Sequence, residues 1–184
     1  MKTILKMKNN SKGFTLIELL AVIVILGILM ITAIPAVTKY INSSKKSTFA
    51  DSAGAYINAA RYSLLNDEYN CQTPAEEGQS VKIPLYTGTA GSETVNIDID
   101  KGTGKSSYGK DYDKSSYVIA KYSGGKLDYS ICLVDTGKNG TIKGSGSDAT
   151  CLVAEKDLGN STISAKGAAV KDSGAVKDIC TKNQ

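Results

Sequence analysis

Apolar residues fill the chain from Thr15 to Val37, and the only ionisable residue in that run is Glu18. A helix of about 20 apolar residues is long enough to cross a bilayer. A charged carboxylate is costly inside such a span unless a positive group or hydrogen bonds compensate it. The pattern therefore predicts a membrane-spanning helix whose single acidic residue, near its start, requires a partner.

The helical period continues beyond this run, with apolar residues three or four positions apart and polar residues between them. The apolar positions of this second stretch are Val37, Ile41, Ala53, Tyr56, Ile57, Ala60 and Leu64. We therefore expect one helix over residues 14–65. Its first part, residues 14–37, is apolar on all sides, and its second part, residues 38–65, is amphipathic, as expected of a stalk that backs a folded head.

The remaining residues, 66–184, alternate between strand-like and turn-like sequence. The candidate strands are Val81–Tyr86, Thr94–Asp100, Tyr117–Tyr122, Lys126–Asp135 and Thr141–Ile142. Pro84 argues that the first of them is an edge strand or not a strand. Ser123-Gly124-Gly125 gives a strong hairpin signal between the third and the fourth. Asn139-Gly140 predicts another turn, and residues 160–184 are ambiguous between short helix and loop.

Together these elements predict an α+β fold. A small antiparallel β-sheet of about four strands would form a globular head over residues 66–184 and pack on the second half of the long helix. The core of such a head is modest for its size, so covalent cross-links would contribute usefully to its stability.

The four cysteines, Cys71, Cys132, Cys151 and Cys180, all follow the apolar run. A zinc site is disfavoured, because the chain has no histidine and the cysteines are isolated rather than in C-x-x-C pairs. The even number predicts two disulfides in an oxidising compartment. Among the three possible connectivities we expect Cys151 to pair with Cys180, since these two bracket the C-terminal segment, and Cys71 to pair with Cys132.

The formal charge of +4 arises in a basic leader, residues 1–13, and the rest of the chain holds 18 basic and 18 acidic residues. Whole-chain charge therefore gives no argument for nucleic-acid binding. The leader modestly favours a cytoplasmic N-terminus. Residues 38–65 carry an excess of positive charge. This charge has three possible roles: contact with lipid phosphates before assembly, contact with acidic heads afterwards, or simple solvation of a helix face. Their charged residues are Lys39, Lys45, Lys46 and Arg61 against Asp51.

Other motifs give no convincing catalytic or metal chemistry. Asp98-x-Asp100-x-Gly102 and Asp111-x-Asp113 resemble fragments of calcium loops, but no glutamate closes either loop at EF-hand spacing. Gly102-x-Gly104 lacks the strand and helix that flank a phosphate-binding loop. The chain has no histidine for general-base catalysis and no serine nucleophile motif. We expect no enzymatic activity, no cofactor and no metal site.

The most informative motif lies at the junction of leader and apolar run. Gly13 is followed by Phe14, Glu18 lies four residues further on, and Pro35 lies inside the apolar run. The leader contributes Lys2, Lys6, Lys8 and Lys12. This arrangement closely resembles the type IV prepilin family. The resemblance covers roughly residues 8–60, and the head resembles no family.

The resemblance implies processing and assembly. A membrane-embedded prepilin peptidase and methyltransferase would cleave between Gly13 and Phe14 on the cytoplasmic side, remove residues 1–13 and N-methylate Phe14. The new ammonium group would pair with Glu18 of a neighbouring subunit. Pro35 lies where these proteins usually carry a helix-kinking proline, and in related pilins the region from Gly27 to Pro35 is often unwound in the filament.

The resemblance also implies function, partners and location. The chain would sit in the cytoplasmic membrane as a single-pass protein, meet a pilus assembly platform, and leave the bilayer as a homopolymer on the cell surface. We expect a structural subunit of a type IV pilus that serves adhesion, aggregation, twitching motility or DNA uptake. The alternative is a pseudopilin of a type II secretion or competence machine, which assembles by the same chemistry.

Simpler membrane signals account for the junction less well. A secretory signal peptide has an apolar core of about 7–15 residues and a small-residue cleavage site, whereas this run is longer and no such site follows it. No cysteine stands at the processing point, which excludes a lipoprotein signal. An uncleaved signal anchor remains open, although it would have no use for Glu18.

Overall fold

The computed structural model describes residues 13–87, 94–97, 105–144, 149–170, 176 and 178–183. The chain divides into two compact units, Met1–Ile41 and Asn42–Gln184. One helix, α1 (Leu16–Leu65), contributes to both units. It begins two residues later than expected and ends where expected, which confirms the long helix.

In the first unit every described residue is exposed, the apolar side chains included. Within the described part of the chain, α1 is the one helix that is long and apolar enough to cross a membrane. Large exposed apolar surfaces mark contact with lipid or with other proteins. The first unit thus presents an apolar surface whose exposure to water is unfavourable.

The second unit contains a five-stranded sheet and two small two-stranded sheets. Its strands are β1 (Ser80–Pro84), β2 (Tyr86–Thr87), β3 (Thr94–Val95), β4 (Tyr117–Ser123), β5 (Lys126–Cys132), β6 (Gly140–Thr141), β7 (Leu152–Ala154), β8 (Ile163–Ser164) and β9 (Asp178–Ile179). The main sheet has the order β7-β5-β4-β1-β9, and β2 pairs with β3 and β6 with β8. All pairs are antiparallel except β1 with β9, which is parallel. The α+β fold with a small, mainly antiparallel sheet is confirmed.

The core of the second unit lies between α1 and one face of the main sheet. The helix contributes Phe49, Ala53, Tyr56, Ile57, Ala60 and Leu64, and the sheet contributes Val81, Ile83, Val118, Ala120, Tyr129 and Ile131. A second apolar cluster contains Tyr117, Ile119, Cys132, Val134, Cys151 and Ala168. Because alternate side chains of β4 enter different clusters, Tyr117–Ala120 is buried without interruption, as expected of a strand covered on both faces.

The predicted hairpin is confirmed. Gly124 and Gly125 connect β4 to β5 with φ angles of +59° and +82°, which a two-residue turn of this kind requires and which glycine adopts without strain. The carboxylate of Glu77 accepts the N–H of Gly124 at 2.9 Å. Strand β5 ends three residues earlier than expected, since the N–H of Leu133 donates to Thr141 Oγ1 at 2.9 Å.

The expectation that Pro84 marks an edge strand or no strand is wrong, because β1 has a neighbour on each side. Strand β9 pairs only with Val81 and Lys82 of β1. Pro84 lies beyond this pairing, so its lack of an N–H costs no hydrogen bond to β9. The buried side chain of Asn96 extends the ladder instead. Its amide donates to the carbonyls of Pro84 at 2.8 Å and Cys180 at 3.2 Å, and its oxygen accepts the N–H of Lys182 at 2.6 Å.

Two disulfides are present, as predicted, but the predicted pairing is wrong. Cys71 pairs with Cys180 and Cys132 with Cys151, with Cα–Cα distances of 5.1 and 4.7 Å. Strand pairing explains both bonds. The register of β5 with β7 places Cys132 opposite Leu152, next to Cys151, and the Asn70 N–H donates to the Thr181 carbonyl at 3.0 Å, which brings the segments of Cys71 and Cys180 together.

The two disulfides should stabilise the protein unequally. They close loops of sequence separation 109 and 19, for which the chain-entropy model gives about 5 and about 3 kcal/mol. Replacing Cys71 and Cys180 by alanine should therefore lower the free energy of unfolding more than replacing Cys132 and Cys151. Urea unfolding of the full chain in detergent measures both losses. The reverse order would contradict loop closure as the source of the difference.

Alkaline pH should destabilise the second unit through buried tyrosines. Burial raises the pKa of Tyr69 from 10.0 to about 12, and it also raises the pKa of Tyr112 and Tyr129. The neutral phenol is the form that the fold prefers, so stability is complete below about pH 10 and is lost as the pH rises toward about 12. Urea unfolding over this range should show the loss.

The matched variants for this pH dependence are Tyr69→Phe and Tyr62→Phe, since Tyr62 is 68% exposed. Tyr69→Phe keeps the buried ring and removes the ionisable group, so it should flatten the alkaline loss. Tyr62→Phe should leave it unchanged. An alkaline loss that is identical in both variants and the wild type would show that Tyr69 does not contribute.

Candidate functional site

The start of α1 forms a closed set of hydrogen bonds between Thr15 and Glu18. The Glu18 carboxylate accepts the backbone N–H and the hydroxyl of Thr15, both at 2.8 Å. In return, the Glu18 N–H donates to Thr15 Oγ1 at 3.3 Å. This is a capping box, in which the N-cap residue and the third helical residue satisfy each other's backbone groups.

The capping box provides hydrogen-bond acceptors for backbone N–H groups at the start of the helix. The first four N–H groups of a helix have no partner within the helix, and in lipid no water replaces them. The positive end of the helix dipole also favours an acidic residue in the first turn. The pattern Thr15-x-x-Glu18 is the sequence signal of this cap, whereas the prediction gave Glu18 only a partner outside its own subunit.

The Gly13–Phe14 bond lies ahead of the helix. Both residues are exposed and non-helical, and Phe14 is 87% exposed. A Cβ added at Gly13 would meet no atom within 4 Å. Cleavage of this bond therefore requires no unwinding of α1. The leader lysines Lys2, Lys6, Lys8 and Lys12 lie outside the described residues.

Pro35 lies inside α1, which continues through it. Since proline has no N–H, the helix loses the hydrogen bond that residue 35 would give to the Ile31 carbonyl. Beside it, the hydroxyl of Thr38 donates to the Ile34 carbonyl at 2.9 Å. The expected unwinding of this region concerns the assembled filament and stays a prediction.

The described residues contain no group of three or more potential metal ligands. Asp111 pairs with Lys105 at 2.9 Å, and Asp113 accepts the N–H of Ser115 at 2.9 Å, so these carboxylates have local protein partners. The other calcium-loop candidates, Asp98, Asp100 and Gly102, lie outside the described residues, as does Gly104.

Comparisons with known proteins agree with this N-terminal arrangement. Residues 8–34 match the family described as the prokaryotic N-terminal methylation motif. One type IV major fimbrial protein FimA of Dichelobacter nodosus is 32% identical over 180 residues, which cover 94% of this chain and 93% of FimA. The chain belongs to the type IV pilin family. The prediction drawn from the N-terminal residues is thereby confirmed, whereas the expectation that the resemblance ends near residue 60 is wrong, because the match to FimA covers 94% of this chain.

Other relatives of this pilin match over shorter segments. A second FimA of Dichelobacter nodosus is 34% identical over 97 residues, which span about half of each chain, 53% of this one and 54% of that FimA. The type IV major alpha-pilin of Moraxella bovis is 36% identical over 86 residues, or 47% of this chain and 52% of the relative. No solved structure matches this chain.

Proposed function

We propose that this pilin is a structural subunit of a type IV pilus, which polymerises through its N-terminal helix into a surface filament. The observation that carries the proposal is the first unit, whose described residues form an apolar helix with every side chain exposed. Such a surface is suited to lipid before assembly and to the helices of other subunits afterwards.

The order of events follows from the leader and the junction. Residues 1–13 form the leader, and a prepilin peptidase removes it at the accessible Gly13–Phe14 bond and methylates the new N-terminus. Until then the subunit sits in the cytoplasmic membrane with a cytoplasmic N-terminus. Residues 14–37 span the bilayer, residues 38–65 form the amphipathic stalk, and residues 66–184 form the head. The pilus assembly platform then moves the subunit into the filament.

Glu18 has two successive partners in this proposal. Thr15 holds its carboxylate in the first turn, which keeps the acidic group at a fixed place on the helix. Cleavage then creates an ammonium group on Phe14. When subunits stack, the Glu18 carboxylate of one copy receives the Phe14 ammonium of the next, so two groups that are costly alone in lipid compensate each other.

The pseudopilin alternative uses the same chemistry. Two of the relatives reported above are major fimbrial proteins and another is a major alpha-pilin, which favours the pilus. We assign the subunit no catalytic role.

Processing should depend on the small residue at the junction. Gly13→Leu should leave the chain uncleaved, because a large side chain at the scissile bond does not fit a peptidase site that accepts glycine. Gly27→Leu is the matched control, since a Cβ at Gly27 also meets no atom within 4 Å, and it should be cleaved normally. Intact mass reads both results. Filament protein that still contains Lys12 would contradict the processing step.

Assembly should require the charge of Glu18 and not only its hydrogen bonds. Glu18→Gln keeps an oxygen that can accept the Thr15 N–H, whereas Glu18→Ala removes it. Because the Phe14 ammonium requires a carboxylate, both variants should reduce filament yield at least about tenfold, while cleavage and membrane insertion stay normal. Sheared filaments, quantified against total pilin, measure the yield.

Two results would separate the roles of Glu18. Normal filaments from Glu18→Gln together with few from Glu18→Ala would assign Glu18 to capping alone. Normal filaments from both variants would mean that apolar packing of the helices suffices. Co-expression with wild type should partly rescue either variant, since the wild-type Glu18 still accepts the Phe14 ammonium of the variant.

A further inference from the structure

In the second unit, α1 borders an open groove that contains an uncompensated carboxylate. The groove has a volume of about 670 Å³ and lies between α1 and the segment from Glu155 to Asn160. Asp51 lines it and is exposed, and its carboxylate forms no hydrogen bond or ion pair with any residue that the structure describes. The other acid in the groove, Glu155, is paired with Arg61 at 2.5 Å.

The same part of α1 carries a complementary charge. Lys45 has its contacts within the subunit. Its Nζ lies 5.7 Å from the centre of the Tyr108 ring, and its backbone carbonyl accepts a hydrogen bond from the Ser107 hydroxyl at 2.7 Å. Lys46, one residue further on, is partly exposed and has no ion-pair partner among the described residues. In the part of α1 that lies in the second unit, Lys46 and Asp51 therefore carry opposite charges and have no ion pair with any described residue.

Lys46 and Asp51 are poorly placed to satisfy each other within one subunit. At about 100° per residue, a separation of five residues puts them roughly 140° apart around the helix axis, whereas side chains that meet on a helix are three or four residues apart. The two charges thus lie on different sides of the subunit. When two complementary patches lie on different sides of one subunit, copies associate head to tail. Such contacts build an open helical filament unless the rotation between neighbouring subunits closes a ring.

The spacing of the two charges agrees with the spacing at the start of the helix. Identical subunits in a filament are related by one screw operation, so their axial displacement is the same at every residue. Aligning Phe14 with Glu18 of a neighbour requires a displacement of four helical residues, about 6 Å, and aligning Lys46 with Asp51 requires five residues, about 7.5 Å. The length of a lysine side chain accommodates the difference.

We infer that the groove at Asp51 receives the Lys46 side chain of an adjacent copy of this pilin, and that this ion pair fixes the stacking of the subunits together with the contact at Glu18. The inference rests on the proposed function. It assigns the groove one occupant, a second copy of this chain, on the basis of charge complementarity and a shared axial displacement.

Charge reversal in the full chain tests the pairing. Asp51→Lys and Lys46→Asp should each reduce filament yield at least about tenfold, because each places like charges at the contact. The double variant, with both reversals in one chain, should restore the yield. Asp128→Lys is the matched control, since Asp128 lies on β5 in a surface pair with Lys126 at 3.3 Å, and its yield should equal that of the wild type.

Mixed filaments show whether the pair joins two chains. When Asp51→Lys subunits and Lys46→Asp subunits are produced in one cell, alternation of the two gives opposite charges at every contact. The mixture should form filaments that neither variant forms alone. Cleavage, membrane insertion and thermal unfolding of each variant should match the wild type, which shows that the subunits themselves are sound.

The remaining outcomes would overturn the inference. Normal filaments from either single variant would show that the pair is absent, and a double variant that assembles while the mixture does not would place the pair within one chain. Single variants that neither the double variant nor the mixture restores would give Asp51 and Lys46 other partners. Failure of the proposed function is distinguishable, since the wild-type chain would then form no filaments.

Discussion

An apolar helix surface with a single carboxylate constrains everything else in this pilin. In the first unit the described side chains of α1 are all exposed, so the helix requires lipid or other helices around it. From Thr15 to Val37, Glu18 is the one ionisable residue of that surface. A chain that only needed an anchor would be more stable in the membrane without it. Glu18 caps the start of its own helix, and in the proposed assembly its charge would compensate the ammonium group of a second, processed subunit.

The head meets a different requirement, which is to stay folded with a small core. Its main sheet is covered on both faces over Tyr117–Ala120, and both disulfides join segments that strand pairing already brings together. The bond between Cys71 and Cys180 spans a sequence separation of 109 and ties the last strand to the region just after the helix. The buried side chain of Asn96 secures the same place with three hydrogen bonds to the backbone. The C-terminal segment is thus held by a covalent bond, by a side chain and by parallel pairing with β1.

Local patterns in the sequence predicted the helix, the hairpin at Gly124-Gly125 and the class of fold, because periodicity and turn residues act over a few positions. They failed where distant segments meet. Pro84 argued for an edge strand or no strand, because local sequence does not show that the side chain of Asn96, twelve residues further on, binds the Pro84 carbonyl where β9 no longer pairs. The predicted disulfide pairing was wrong because it relied on the positions of Cys151 and Cys180 at the two ends of the C-terminal segment. Position along the chain does not show which strands are neighbours in the sheet. At the site, Gly13, Phe14 and Glu18 could be named from the sequence. The capping box was missed although its two residues are only three positions apart, because Glu18 had already been assigned a partner in another subunit.

The two partners of Glu18 do not compete for the same state of the chain. While Gly13 and Phe14 are joined by a peptide bond, the nitrogen of Phe14 carries no charge. The Glu18 carboxylate then accepts hydrogen bonds from the N–H and the hydroxyl of Thr15. The proposed cleavage would place an ammonium group on Phe14, within one helical turn of a carboxylate that is already oriented. Two oxygens with several lone pairs can accept from Thr15 and from an ammonium group at once. In the proposed assembly, the cap would reduce the conformational entropy lost when the ion pair between subunits forms, because the Glu18 side chain is already ordered. Processing would then act as the switch, since it would add the charge that assembly uses and leave the hydrogen bonds between Thr15 and Glu18 in place.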